Sequence, residues 1–151
     1  MIQNTPVFAQ LHERFLARLI DAIVTLPMTL LIVQMLRGQD AFAGVVTFLF
    51  GVAYYAFFHA GRWAATPGKR LVGLSVWNAD GSRLSLKNSA ARELAVLMPT
   101  YPIYLSFISP DTARFLVLAL AVWWYGQVLF SQQRMAMHDK ICATRVKVMR
   151  P

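Results

Sequence analysis

One cysteine, Cys142, stands in 151 residues, so the chain holds no internal disulfide and no metal cage built from cysteines. Acidic residues are scarce too: seven Asp and Glu face fifteen Lys and Arg, for a formal charge of +8. Charge of either sign accounts for only 15% of the chain, and apolar residues for 57%. Soluble domains average about 25% charged and about 45–50% apolar residues. A chain this poor in charge cannot cover a globule with water-seeking groups, which points to lipid as the solvent for much of its surface. Its length suits one domain.

The missing charge is missing in blocks. Four runs contain no Asp, Glu, Lys or Arg: Ala22 to Leu36 (15 residues), Ala41 to Gly61 (21), Leu94 to Pro110 (17) and Phe115 to Gln133 (19). A bilayer-spanning helix needs roughly 17–25 residues, and the first run reaches that length by including Phe15 to Asp21. The pattern predicts an all-α integral membrane protein with four transmembrane helices, at 15–36, 41–61, 93–110 and 113–133. A loop at 62–92 and a tail at 134–151 complete it. Ala41-Phe42-Ala43 looks like a leader-cleavage triplet, but the first run is too long for a signal peptide and Arg37 and Asp40 precede the triplet. A retained helix is expected.

Basic residues set the expected orientation, because short loops rich in Lys and Arg stay in the cytoplasm. Thirteen of the fifteen fall on one side if four helices are counted, and only Arg37 and Arg114 fall on the other. The prediction is a multi-pass protein of the plasma (inner) membrane with both termini cytoplasmic. This asymmetry accounts for the +8 without nucleic acid, and the lipid bilayer is the partner expected. Within the runs, Ala43, Thr47 and Gly51 form a small-residue stripe that lets another helix approach closely. Pro27, Pro99 and Pro102 are expected to bend their helices without unwinding them.

In the central loop, "GKRLVGLSVWNADGSRLSL" reads as a short β-hairpin. One strand lies near Leu71 to Trp77, the turn at Asp80-Gly81, and the second strand at Arg83 to Leu86, with Leu84 and Leu86 on one face. Asn88 or Ser89 is expected to cap the third helix. "GRWAATPGKR" fails as a phosphate loop: six residues separate Gly61 from Gly68, and Arg70 follows Lys69 where Ser or Thr is required.

The chemistry worth attention sits where charge meets the first apolar run. Arg14, Arg18 and Asp21 are spaced to share one helix face. Asp21 would lie roughly 10 Å deeper than Arg14, a depth tolerable only if it faces protein or water, with Arg18 the nearest partner in sequence. His138 and Asp139 follow the last run on the same side, so Asp139 can reach Arg14 or Arg18.

These segments resemble the RDD family of small membrane proteins, named for one arginine and two aspartates. "RFLARLID" resembles the family's opening motif, "PGKRLVGLSV" with "ADGSRLSL" its central loop, and "MHDKICATRV" its closing element. The resemblance implies that Arg14, Asp21 and Asp139 form a charged network, with Arg18 and His138 as secondary members. Cys142 stands where the family usually has alanine, Ala143 where it often has glycine, and Ser75 where arginine is frequent. The resemblance further implies a molecular role that is mostly uncharacterised, with transport, including cation–proton exchange, suggested for some members.

Two functions follow from the residues. The preferred one is transport of a small ligand or cation coupled to protons: a membrane carboxylate balanced between burial and a neighbouring arginine can load and release protons. Thr25, Gln34, His59 and Gln127 could extend a polar path, although an interhelical hydrogen bond is the expected role of each. The alternative is a non-transporting scaffold or assembly factor in which Arg14, Asp21 and Asp139 clamp the chain ends together. A homo-oligomer or another membrane protein is the partner either reading invites. No paired histidines, no HExxH and no serine beside a base occur, so no enzyme, metal or cofactor is expected.

Overall fold

The computed structural model describes residues 7–100 and 109–149. Three helices are long and apolar enough to cross a membrane: α1 (Leu11–Met35), α2 (Asp40–Ala60) and α5 (Pro110–Phe130). Only 11% of the residues in each apolar window are buried by other protein, so their remaining surface suits lipid. α1 continues unbroken through Pro27. The small-residue stripe on α2 is only partly used: Ala43 is buried, but a Cβ added at Gly51 would meet nothing within 4 Å.

Between and after these helices lie shorter elements. They are α3 (Pro67–Leu71), β1 (Leu74–Asn78), α4 (Leu86–Leu97), α6 (Met137–Ile141) and β2 (Thr144–Val148). The third expected span divides here. α4 supplies its first part and carries buried Ser89, Arg92 and Glu93, while residues 101–108, with Pro102, lie outside the described residues. The cap of α4 is Ser85, whose hydroxyl accepts the Asn88 N–H at 3.1 Å, rather than Asn88 or Ser89.

The sheet corrects the expected hairpin. β1 forms and the chain turns at Asp80, whose carboxylate accepts the Ser82 N–H at 2.8 Å. The antiparallel partner of β1, however, is β2 from the chain's other end, in the register Leu74↔Val148 to Asn78↔Thr144. Residues 83–86 form no strand. Leu84 turns into the core and Leu86 begins α4, 60% exposed. Residues 7–9 extend the pairing: the Ala9 N–H donates to the Val146 carbonyl at 3.0 Å, and the Val148 N–H to Val7 at 2.9 Å. Ala9, Ala17, Leu74, Val76, Leu84 and Val146 close into a small core beneath this sheet.

The order α2-α3-β1 recurs as α5-α6-β2, each element starting and ending 70 residues after its counterpart (Asp40 and Pro110, Pro67 and Met137, Leu74 and Thr144). Ala64 and Arg134 occupy equivalent places and share a left-handed φ of 48° and 49°. The central strand pair, Val76↔Val146, also joins residues 70 apart, so a local two-fold axis through it interchanges β1 and β2. Gly73 and Ala143 are likewise equivalent, each turning from short helix to strand at φ +77° and +48°. Alanine pays about 1–2 kcal/mol for that conformation where glycine does not. Ala143→Gly is therefore expected to stabilise the protein by about 1 kcal/mol, raising its thermal midpoint in detergent by about 2–4 °C.

Candidate functional site: a buried charge cluster at one end of the bundle

The start of α1 and the ends of α2 and α5 meet α3, α4, α6 and the sheet at one end of the bundle. Three arginines and three carboxylates gather there. Asp139, fully buried, receives Arg14 of α1 on Oδ2 and Arg92 of α4 on Oδ1, the latter at 2.7 Å. The Thr144 hydroxyl and the Ala136 N–H each donate to Asp139 at 3.3 Å. Arg14 also donates Nη2 to the Arg134 carbonyl at 2.6 Å and Nε to Ala9 at 3.3 Å. Arg18 pairs with Glu93 and lies 3.9 Å over the Tyr55 ring.

Asp21 is fully buried and has no cation against it among the described residues. It accepts the Thr66 hydroxyl at 2.5 Å, the Gly68 N–H at 2.8 Å and the Tyr54 hydroxyl at 3.2 Å. Three donors meet the hydrogen-bonding needs of a carboxylate taken out of water. The local sequence makes this geometry: Thr66 caps α3, Pro67 opens it, and Gly68 brings its backbone onto α1. A Cβ at Gly68 would lie 2.2 Å from the Ala17 carbonyl oxygen and 2.8 Å from the Asp21 carboxylate.

The expected network is thus brought to one place, but with different partners. Arg14 and Asp139 meet as the topology allowed; Arg18 turns to Glu93 and away from Asp21. Thr25, Gln34, His59 and Gln127 do not line up as a polar path. Thr25 bonds back to the Asp21 carbonyl of its own helix at 2.9 Å, Gln34 is exposed, and Gln127 accepts Lys140 at 2.6 Å. His59 instead contacts Lys69, Nε2 to Nζ, at 2.6 Å in a buried site. Glu93, Arg92, Lys69, Thr66 and Gly68 were not singled out from sequence. The usable signal was Glu93, one of seven acids, placed directly against an apolar run.

Burial and neighbouring charge set the ionisation. Desolvation alone would raise the Asp139 carboxyl, but Arg92, His138 and Arg14 hold it well below the usual carboxylate range. Burial pushes His138 down to about 3, against the opposing pull of Asp139. Burial, with Arg92 and Arg18 nearby, pushes Lys69 well below the usual lysine range.

These features define a helical membrane protein whose two ends and central loop are fastened by buried charge. The RDD family model matches residues 8–143, and the chain belongs to that family. It is also 26% identical over 102 residues to "Uncharacterized protein YxaI" of Bacillus subtilis (strain 168), an alignment covering 68% of this chain. The chain spans about half the length of that relative, 55%. No solved structure matches.

Two outcomes follow. Gly68→Ala is expected to force α3 off α1 at a cost of about 1–3 kcal/mol, lowering the thermal midpoint in detergent. Gly126→Ala, where a Cβ meets nothing within 4 Å, does not lower it. The second outcome concerns acid. Folded His138 releases its proton down to about 3, whereas the unfolded residue binds one below about 6.5. Between those values the unfolded state holds more protons, so stability falls as pH falls, by up to about 1.4 kcal/mol per pH unit. The thermal midpoint measured from pH 7 to pH 4 is expected to drop, and His138→Asn to flatten that drop.

Proposed function

We propose that this protein is a non-catalytic membrane scaffold or assembly factor in which the family's charges act as a clamp. The observation that carries this reading is where those charges are spent. Asp139 and Arg14 are 125 residues apart in sequence and Asp139 and Arg92 are 47 apart, and each pair closes a long loop of chain. Asp21 ties α1 to Thr66 and Gly68, 45 and 47 residues on. Both aspartates are fully buried and hydrogen-bonded, which suits fastening better than loading and releasing an ion.

The proposed setting is the plasma membrane, with both termini in the cytoplasm and four crossings. The basic residues favour this, and so does the path of the described chain. The start of α1 and the end of α5 lie at the same end of the bundle, joined through Arg14 and Arg134. Three alternating crossings would separate them, which supports a fourth. A homo-oligomer or another membrane protein is the proposed partner.

One observation favours the transport reading. His59 and Lys69, two bases 2.6 Å apart in a buried place, can share a single proton, and a group of that kind can couple proton movement to another ion. The two readings separate in one set of measurements on purified protein and on vesicles. Under the clamp, Asp139→Asn leaves two arginines uncompensated and lowers stability by about 3–5 kcal/mol. Oligomer yield falls with it, and the parent protein moves no cation down a pH gradient. An Asp139→Asn variant as stable as the parent, or parent flux above that of protein-free vesicles and lost in Lys69→Met, overturns the clamp.

A further inference from the structure

A cavity of about 630 Å³ lies beside the charge cluster, bounded by α1, α3, α4, α5, α6 and β2. Arg14, Arg18, Lys69, Arg92 and His138 line it, and no Asp or Glu does among the described residues. The carboxylates that balance the arginines, Glu93 and Asp139, are buried behind them. Donors remain on the cavity side. Arg18 commits only Nη2 to Glu93, and Lys69 only one contact to His59. Arg92 commits Nε and Nη2.

N–H groups left over on cations at a cavity wall are free to donate to an anion. Planar guanidinium forks match the oxygens of a phosphate, and a phosphate beside Lys69 would favour its protonated form. The remaining wall is apolar, with Leu11, Phe15, Val96 and Val128. Phe15 is 70% exposed, on the outer surface of a helix suited to lipid, and exposed His12 stands one turn before it at the rim. The cavity therefore joins a cationic interior to a lipid-facing mouth.

We propose that this cavity binds an anionic phospholipid, its headgroup phosphate held among Arg18, Lys69 and Arg92 and its acyl chain leaving past Phe15. A small soluble phosphate would meet the same donors but leave the half-buried Leu11 and the exposed Phe15 without a partner, which favours the lipid. The site goes beyond the clamp and does not depend on it, because the atoms facing the cavity are those the clamp leaves uncommitted. Basic pockets between membrane helices are suited to such headgroups.

The test is the thermal midpoint of the full chain in neutral detergent, titrated separately with phosphatidylglycerol, phosphatidylcholine and inorganic phosphate. Phosphatidylglycerol is expected to raise the midpoint saturably, and Lys69→Met to abolish the rise. His12→Glu and Phe15→Ala change exposed residues at the mouth, so the lipid-free midpoint stays put. His12→Glu places a carboxylate in the headgroup's path and is expected to weaken the apparent affinity for phosphatidylglycerol about tenfold. Phe15→Ala is expected to weaken it less. An equal rise with phosphatidylcholine overturns the proposal, as does no rise with any addition. A full rise with inorganic phosphate alone overturns the lipid assignment, and a phosphatidylglycerol titration unaltered by both mouth variants overturns the position of the site.

Discussion

A carboxylate removed from water must be given back what water supplied, and Asp139 is given it from four directions. Arg14 arrives from the first helix and Arg92 from the fourth. The Thr144 hydroxyl and the Ala136 amide come from its own neighbourhood. The consequence reaches well beyond one residue, because apolar burial is a weak organiser here. Helices surrounded by acyl chains gain little hydrophobic free energy from touching one another, and the small core beneath the sheet involves only six buried residues. What fixes the relative positions of the chain's start, central loop and end is the requirement that buried charges find their partners. Removing one partner leaves the others exposed to the full cost of desolvation.

The repeated helix–turn–strand unit shows how one backbone plan came to serve two chemistries. Gly68 and Lys69 in the first unit stand where His138 and Asp139 stand in the second. With glycine, α3 can lie directly on α1 and present its amide to Asp21. With aspartate, α6 becomes the acceptor for two arginines. Lysine at the equivalent place in α3 has the same sign as the nearby Arg18, and Arg18 pairs with Glu93 instead. The result is an asymmetric end to the bundle, with cations turned towards one cavity and carboxylates turned away from it.

Much of the architecture was legible in the residues. The charge-free runs located the three long helices to within a few positions, because the length of a hydrocarbon-spanning helix is set by the bilayer. The charge topology placed Arg14 and Asp139 on one side, which made their contact possible, and the structure brings them together. The hairpin was not legible. β1 and the turn after it follow local rules, yet a two-stranded ribbon is marginal alone, and β1 pairs with residues about 70 positions away. The repeat was hidden for a similar reason: the equivalent segments share backbone conformation, but their paired positions carry residues as different as Lys69 and Asp139. Glu93 was passed over because it sits at a boundary, where a charge reads as the edge of an expected span and not as a buried member of α4.

The sequence by itself determined the solvent and the class of fold. Hydropathy and charge asymmetry act residue by residue and add along the chain, so they survive without knowledge of contacts. Only the tertiary structure decided who pairs with whom: Arg18 with Glu93, Asp21 with three neutral donors, and β1 with the far end of the chain. Those choices depend on which groups are buried together, and spacing along a single helix cannot report on partners brought in by other elements.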